Sequence, residues 1–390
     1  MPKNFGKFLA AIMAFVAIDA IALDKKVIDE ALTAASRGAS FLVKTQNDDG
    51  SWGTHKHPAI AALCIWAVNA TPNIDKKSQI ACIDKGLKYV LEYVQNDGSI
   101  FPKKQHEAYK KQSAYYPNYS TSIILLCLAA IDRPEYRPVM IKARKYLQDS
   151  QFKDSNKVDY GGIGYGKTGR ADLSNGSWAS EALYYTEWLD KEPYTKDSNA
   201  QKRNKEMWAA FSTFLTKVQN MPELNKESYV NKQPEEYGGF FYRPNESKAK
   251  KNGKEGMIAS GSMTYAGLKS MLHAKLKKND PRVIAAMKYL MKNYVLTENP
   301  GMGMQGYFYY LHVMTKALNA FGADTLKDSD GVSVHDWRKD VTKQFVKLQK
   351  KDGSWTNDKG RFMESDPSLA TSYAVIALKM LAGKADLNYK

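Results

Sequence analysis

The chain has 390 residues, 43% of them apolar and 25% charged, which suits a globular protein with a large core and excludes a disordered polyelectrolyte. Its formal charge of +16 comes from 57 basic against 41 acidic residues, and only 10 of the basic residues are Arg. Arg is the forked reader of phosphates and bases, so an excess carried by Lys gives little support to nucleic-acid recognition and reads first as solvated surface.

In chain order, Lys3 and Lys7 precede an apolar run from Phe8 to Ile18, and Ala20-Ile21-Ala22 follows ahead of polar residues. This is the layout of an export signal with a small-x-small cleavage site, so residues 1–22 are expected to be removed near Ala22 and the product to be periplasmic or secreted. The apolar run is too short for a membrane span, which needs about 20 residues. Three cysteines, Cys64, Cys82 and Cys127, are too few for a disulfide scaffold, although an oxidising compartment could pair two of them. Cys64 and Cys127 lie in apolar runs and read as buried thiols.

Residues 23–390 read as one domain built from six degenerate helix pairs. An amphipathic helix such as the one carrying Leu87, Val90, Leu91 and Val94 leads into a turn with Gly and an aromatic residue. A helix that is apolar all round follows, as in Ala59 to Ala67, Ile123 to Ala130 and Ala374 to Leu381. The first turn, Gln46 to Trp52, and the last, Gln349 to Trp355, both read Gln-x-x-x-Gly-x-Trp. Gly98, Gly161, Gly239 and Gly301 mark weaker copies between them. Helices with one wet face outside and helices buried on all sides within predict an all-α, two-layer (α/α)6 toroid with no strands of any length. Asp49, Asp97 and Asp352 in the turns read as turn and cap chemistry.

These motifs and pairs, which cover almost all of the chain after the leader, resemble the squalene/hopene cyclase and protein prenyltransferase β-subunit superfamily. The resemblance implies the toroid, and an isoprenoid-like or other apolar ligand in a central aromatic cavity. It does not carry the family's chemistry across. Class II cyclases protonate an alkene with an Asp-x-Asp-Asp motif, which this sequence lacks; Asp48-Asp49 lies in a turn, and Asp328-Ser329-Asp330 has no adjacent pair. The prenyltransferase zinc ligands map near Ile258, Ser260 and His312, so a ligand set is not retained and neither metal nor cofactor is expected. A calcium loop around Asp328, Asp330 and Gly331 is disfavoured because Leu326 and Trp337 hold its end positions.

In a toroid the inner helix N-termini converge on one mouth, which favours anions. If the protein is catalytic, Asp366 or Asp172 is the expected acid and His312 its partner, with Tyr119, Trp178, Tyr265, Tyr310 and Tyr373 as cavity walls. Helix capping is the competing account of both Asp residues, and a satisfied core position that of His312. Two alternatives remain open. One is an acidic-polysaccharide lyase, which needs basic residues such as Arg170, Arg243, Arg338 or Arg361 at the mouth. The other is a binding or scaffold module without chemistry. The Lys run 248–254 reads as solvated loop, with an anionic polymer or a membrane surface as the alternative partner.

Overall fold

The computed structural model describes residues 24–102, 116–250, 257–327 and 334–387. The expected leader, 1–22, lies outside these residues, as do Asp328 and Asp330. Twelve α-helices are present among the described residues, and they alternate in character as the sequence predicts. The odd-numbered ones are α1 (Lys25–Lys44), α3 (Lys76–Leu91), α5 (Arg137–Asp149), α7 (Ala200–Val218), α9 (Pro281–Lys292) and α11 (Trp337–Leu348). Each buries one stripe and leaves most of its charged positions to solvent; α5, for example, buries Met140, Ala143, Tyr146 and Leu147 together with Arg144, which pairs with Asp190.

The even-numbered helices are α2 (Pro58–Val68), α4 (Pro117–Ile131), α6 (Leu173–Tyr185), α8 (Gly261–His273), α10 (Tyr307–Phe321) and α12 (Pro367–Leu381). Every residue of α2 is buried. Only a helix enclosed by others can be apolar on all sides, and these six enclose one another: α2 packs on α4, α4 on α6, α6 on α8, α8 on α10, α10 on α12, and α12 back on α2. The inner ring is closed. The outer helices pack against it, and α1 docks on α12, α2 and α11, so the first helix bridges the ends of the chain. This is an (α/α)6 toroid. Among the described residues, the extended structure consists of a two-residue ladder, Leu326–Lys327 with Val334–His335, and a few isolated bridges.

The turns hold neighbouring units together through a repeated contact. Trp52 Nε1 donates to Leu42 O of its own outer helix at 2.8 Å, and Gln46 Nε2 donates to Cys82 O of the next outer helix at 2.9 Å. In the last copy Trp355 Nε1 donates to Phe345 O at 2.8 Å, and Gln349 Nε2 reaches Ala34 O of α1 at 2.9 Å, so the same clamp closes the ring. Gly353 has φ +93°, and a Cβ there would lie 2.5 Å from Arg37 O, which reserves the position for glycine. Two middle copies keep the clamp with longer insertions. Gln151 bonds Gly161 O and Met207 O, and Gln219 bonds Gly238 O and Arg282 O. The fourth turn therefore centres on Gly238, φ +84°, one residue before the Gly239 that the sequence spacing selected. All three cysteines are buried and free. Burial pushes the Cys82 thiol up to about 12 and holds Cys64 well above the ordinary thiol value.

Candidate functional site

The inner helices point their N-termini toward a shared mouth, where a cavity of about 100 Å³ opens. Tyr119 of α4, Ser174 of α6, Ser262 and Met263 of α8, Tyr309 of α10 and Tyr373 of α12 line it from within the helices. Tyr242, Lys248, Met302, Phe362 and Glu364 come from the intervening loops. A water needs about 10–15 Å³ of such space, so the cavity takes on the order of ten non-hydrogen atoms. Its lining combines aromatic rings and two methionines with three serines, Asn299, Lys248 and Glu364, a make-up suited to a small molecule with both apolar and polar parts.

Of the expected cavity walls, Tyr119 and Tyr373 line this space. Trp178 lies directly beneath: its Nε1 donates to Tyr119 Oη at 2.9 Å, and its ring stacks on His312 at 5.8 Å between centroids. Tyr265 and Tyr310 are elsewhere, facing each other at 5.8 Å, with Tyr310 Oη donating to Val295 O at 2.7 Å. The reason is helical phase. One residue along a helix rotates the side chain by about 100°, so Tyr309 faces the axis and Tyr310 faces the neighbouring helices. The same phase continues down α10, through His312 to Lys316, which meets Glu181 of the ring interior.

The predicted acids are helix caps. Asp172 caps α6, accepting from Asn175 N at 2.9 Å and Asn175 Nδ2 at 2.8 Å, and burial pushes its carboxyl up to about 6. Asp366 caps α12, accepting from Ser368 N at 2.8 Å; its other carboxylate oxygen packs against Gly53 and has no partner among the described residues. His312 is hydrogen-bonded to neither. Its Nδ1 lies 3.1 Å from Tyr373 O, which makes Nδ1 the protonated nitrogen, and burial holds the ring neutral with a pKa well below the usual range.

Below the aromatic layer sits a feature that sequence reasoning missed. Glu181 of α6 accepts from Lys269 of α8 and, at 2.7 Å, from Lys316 of α10, all three side chains being 3% exposed. Lys269 Nζ lies 5.4 Å from the Trp178 ring centre, and Lys316 Nζ lies 4.8 Å from Trp178 and 4.3 Å from Trp66. Burial lowers Lys316 to about 8 against the pull of Glu181, and burial lowers His273, beside the triad, to about 3. Glu181 itself is held well below its ordinary value by the two ammoniums, against its own burial. Beyond the triad, Lys379 pairs with Asp386 of the C-terminal segment, closing the opposite end.

Three further residues at the mouth were not selected from sequence. Lys248 lies 3.5 Å from the Tyr242 ring centre and faces the cavity, where the Lys run had read as solvated. Glu364 accepts from Phe308 N, Tyr309 N and Asn357 Nδ2, capping α10. Asn299 holds the start of α8 by accepting from Ser262 N. Arg243 pairs with Glu246 beside Tyr242, and Arg361 donates to Gln305 Oε1 beside Phe362, whereas Arg170 donates to Pro244 O and Arg338 lies over Trp337 of outer helix α11. No cluster of three or more His, Cys, Asp or Glu suited to a metal occurs among the described residues, and no helix among them is long and apolar enough to cross a membrane.

No family model and no curated protein matches the sequence. Among solved structures, a protein from Actinoplanes is 11% identical, covering 90% of this chain and 99% of that one, at a TM-score of 0.49. The type II terpene cyclase MstE from Scytonema, in its apo form, is 12% identical over 92% of this chain and 98% of its own, at 0.38. A variant of that cyclase in complex with geranylgeranyl dihydroxybenzoate, its substrate, is 12% identical over 92% and 99%, also at 0.38. The α/α toroid itself is read from the closed ring of helix contacts in this chain.

Proposed function

We propose that this toroid binds a compact apolar small molecule, the size of one or two isoprene units, in the cavity at its mouth, and holds it without converting it. The observation that carries the reading is the aromatic- and methionine-lined space of about 100 Å³ at the inner helix N-termini. Drug-sized ligands occupy roughly 300–1,000 Å³, so a long isoprenoid chain is too large for it.

Binding without chemistry follows from what surrounds the cavity. A cyclase stabilises a carbocation against aromatic faces on the axis. Here the Trp178 and Trp66 faces already carry the ammoniums of Lys269 and Lys316, whose charge opposes a further cation. Asp172 and Asp366 are engaged as caps, and His312 is neutral and remote from both by hydrogen bonding. The test is solvent extraction of natively purified protein followed by mass spectrometry, with re-analysis after incubation. Recovery of a compact apolar compound, unchanged with time, supports the proposal. An empty protein that binds no small apolar probe, or conversion of the bound compound, contradicts it.

The export signal belongs to the same reading. Mass spectrometry of the purified protein's N-terminus is expected to begin at Leu23, and a chain retaining Met1 to Ala22 in the exported fraction would contradict that expectation.

A further inference from the structure

Lys248 is half-buried at the cavity mouth, between the ring of Tyr242, 3.5 Å from its Nζ, and that of Phe362 at 5.8 Å. It makes no hydrogen bond or ion pair among the described residues. An ammonium taken partly out of water without a counter-charge is costly, and cation–π contact with two rings offsets only part of that cost. The nearby carboxylates are already engaged. Both oxygens of Glu364, on the same cavity wall, accept from the start of α10 and from Asn357. Both oxygens of Asp172 accept from Asn175, so it attracts Lys248 only through space. Glu246 pairs with Arg243.

The polar groups of the lining are similarly occupied. Ser260 Oγ caps α8 through Met263 N, and Asn299 Nδ2 donates to Ser262 Oγ and Gln305 O. Arg361 adds a second positive charge at the rim, bonded only to the neutral amide of Gln305 among the described residues. The mouth therefore offers a cation that no carboxylate pairs among the described residues, flanked by aromatic rings above the pocket.

Resting on the proposal that this cavity holds a compact apolar ligand, we infer that the ligand is an amphiphile with an anionic head group, a carboxylate or a phosphate monoester, received by Lys248 at the mouth. The apolar body then lies against Tyr119, Tyr309, Tyr373 and Met263, and Arg361 lends longer-range attraction. Burial of Lys248, which lowers its pKa, accords with this: an anion beside it restores the charged form.

Hexanoate and 1-hexanol are probes of equal chain length that differ in charge. Titrated into the full-length protein by ligand-observed NMR, hexanoate is expected to bind at least about tenfold more tightly, the worth of one charge-assisted hydrogen bond. Lys248→Met is expected to bring the two probes together, Lys248→Arg to preserve the preference, and added salt to weaken hexanoate alone. Hexyl phosphate measured alongside ranks the two head groups. Equal affinities in the wild type, or a preference that survives Lys248→Met, overturn the anionic head group while leaving the apolar cavity in place. Binding of neither probe overturns both proposals.

Discussion

The Glu181–Lys269–Lys316 triad can be tested by Glu181→Gln, which keeps the side-chain shape and removes the one negative charge. Two ammoniums 3% exposed would then share no carboxylate. Breaking a buried ion pair from one side costs about 3–5 kcal/mol, because the remaining charge stays desolvated. A chain of this size unfolds with an entropy of roughly 0.8 kcal/mol/K, so the midpoint should fall by about 4–6 °C at pH 7. The loss carries a pH signature. Lys316 has a folded pKa of about 8 against an ordinary 10.5, so the unfolded state binds more protons across that window and stability rises with pH through it. Without Glu181 that window opens at lower pH, and the gap between variant and wild type should narrow from pH 7 to pH 9. Adding Lys316→Met should restore part of the loss at pH 7, since it removes one stranded charge. Calorimetry across this pH range is the assay. A single variant within about 0.5 kcal/mol of wild type, or a gap that widens with pH, would refute the electrostatic account.

Two more perturbations follow from the caps and the ring closure. Asp172 has a folded pKa of about 6 against 3.8, so its protonated form stabilises the fold at low pH and that contribution is lost as pH rises through 6. Asp172→Asn should therefore gain on wild type between pH 4 and pH 7 by up to about 3 kcal/mol in chemical denaturation, and a constant difference would contradict the shift. Gly353→Ala puts a Cβ 2.5 Å from Arg37 O at φ +93°, and should cost about 1–3 kcal/mol in thermal melts, with no loss arguing against the clamp that joins α11 to α1.

The ring was legible in the sequence because burial on all sides leaves an unambiguous pattern: Ala59 to Ala67 can be helical and apolar throughout only inside other helices. The turns were legible where Gln and Gly stay four residues apart, as in Gln46 to Gly50 and Gln349 to Gly353. Gln151 and Gln219 escaped notice because insertions carry their glycines 10 and 19 residues away, while the hydrogen bonds survive. The cavity wall was legible to within one helical step, which separates Tyr309 from Tyr310; the spacing to His312, three residues on, carries the correct phase. The triad was hidden because Glu181, Lys269 and Lys316 are 88 and 135 residues apart in pairs, and each alone reads as an ordinary surface charge. Lys248 was hidden by its Lys-rich neighbours, which resemble solvent-exposed loop.

The most direct test of the central claim is native mass spectrometry of the wild type beside Met263→Trp, whose larger ring fills the cavity from the first turn of α8. The wild type is expected to carry a compact apolar ligand that the folded variant lacks. Equal ligand occupancy in both proteins would contradict the assignment of the site to this cavity.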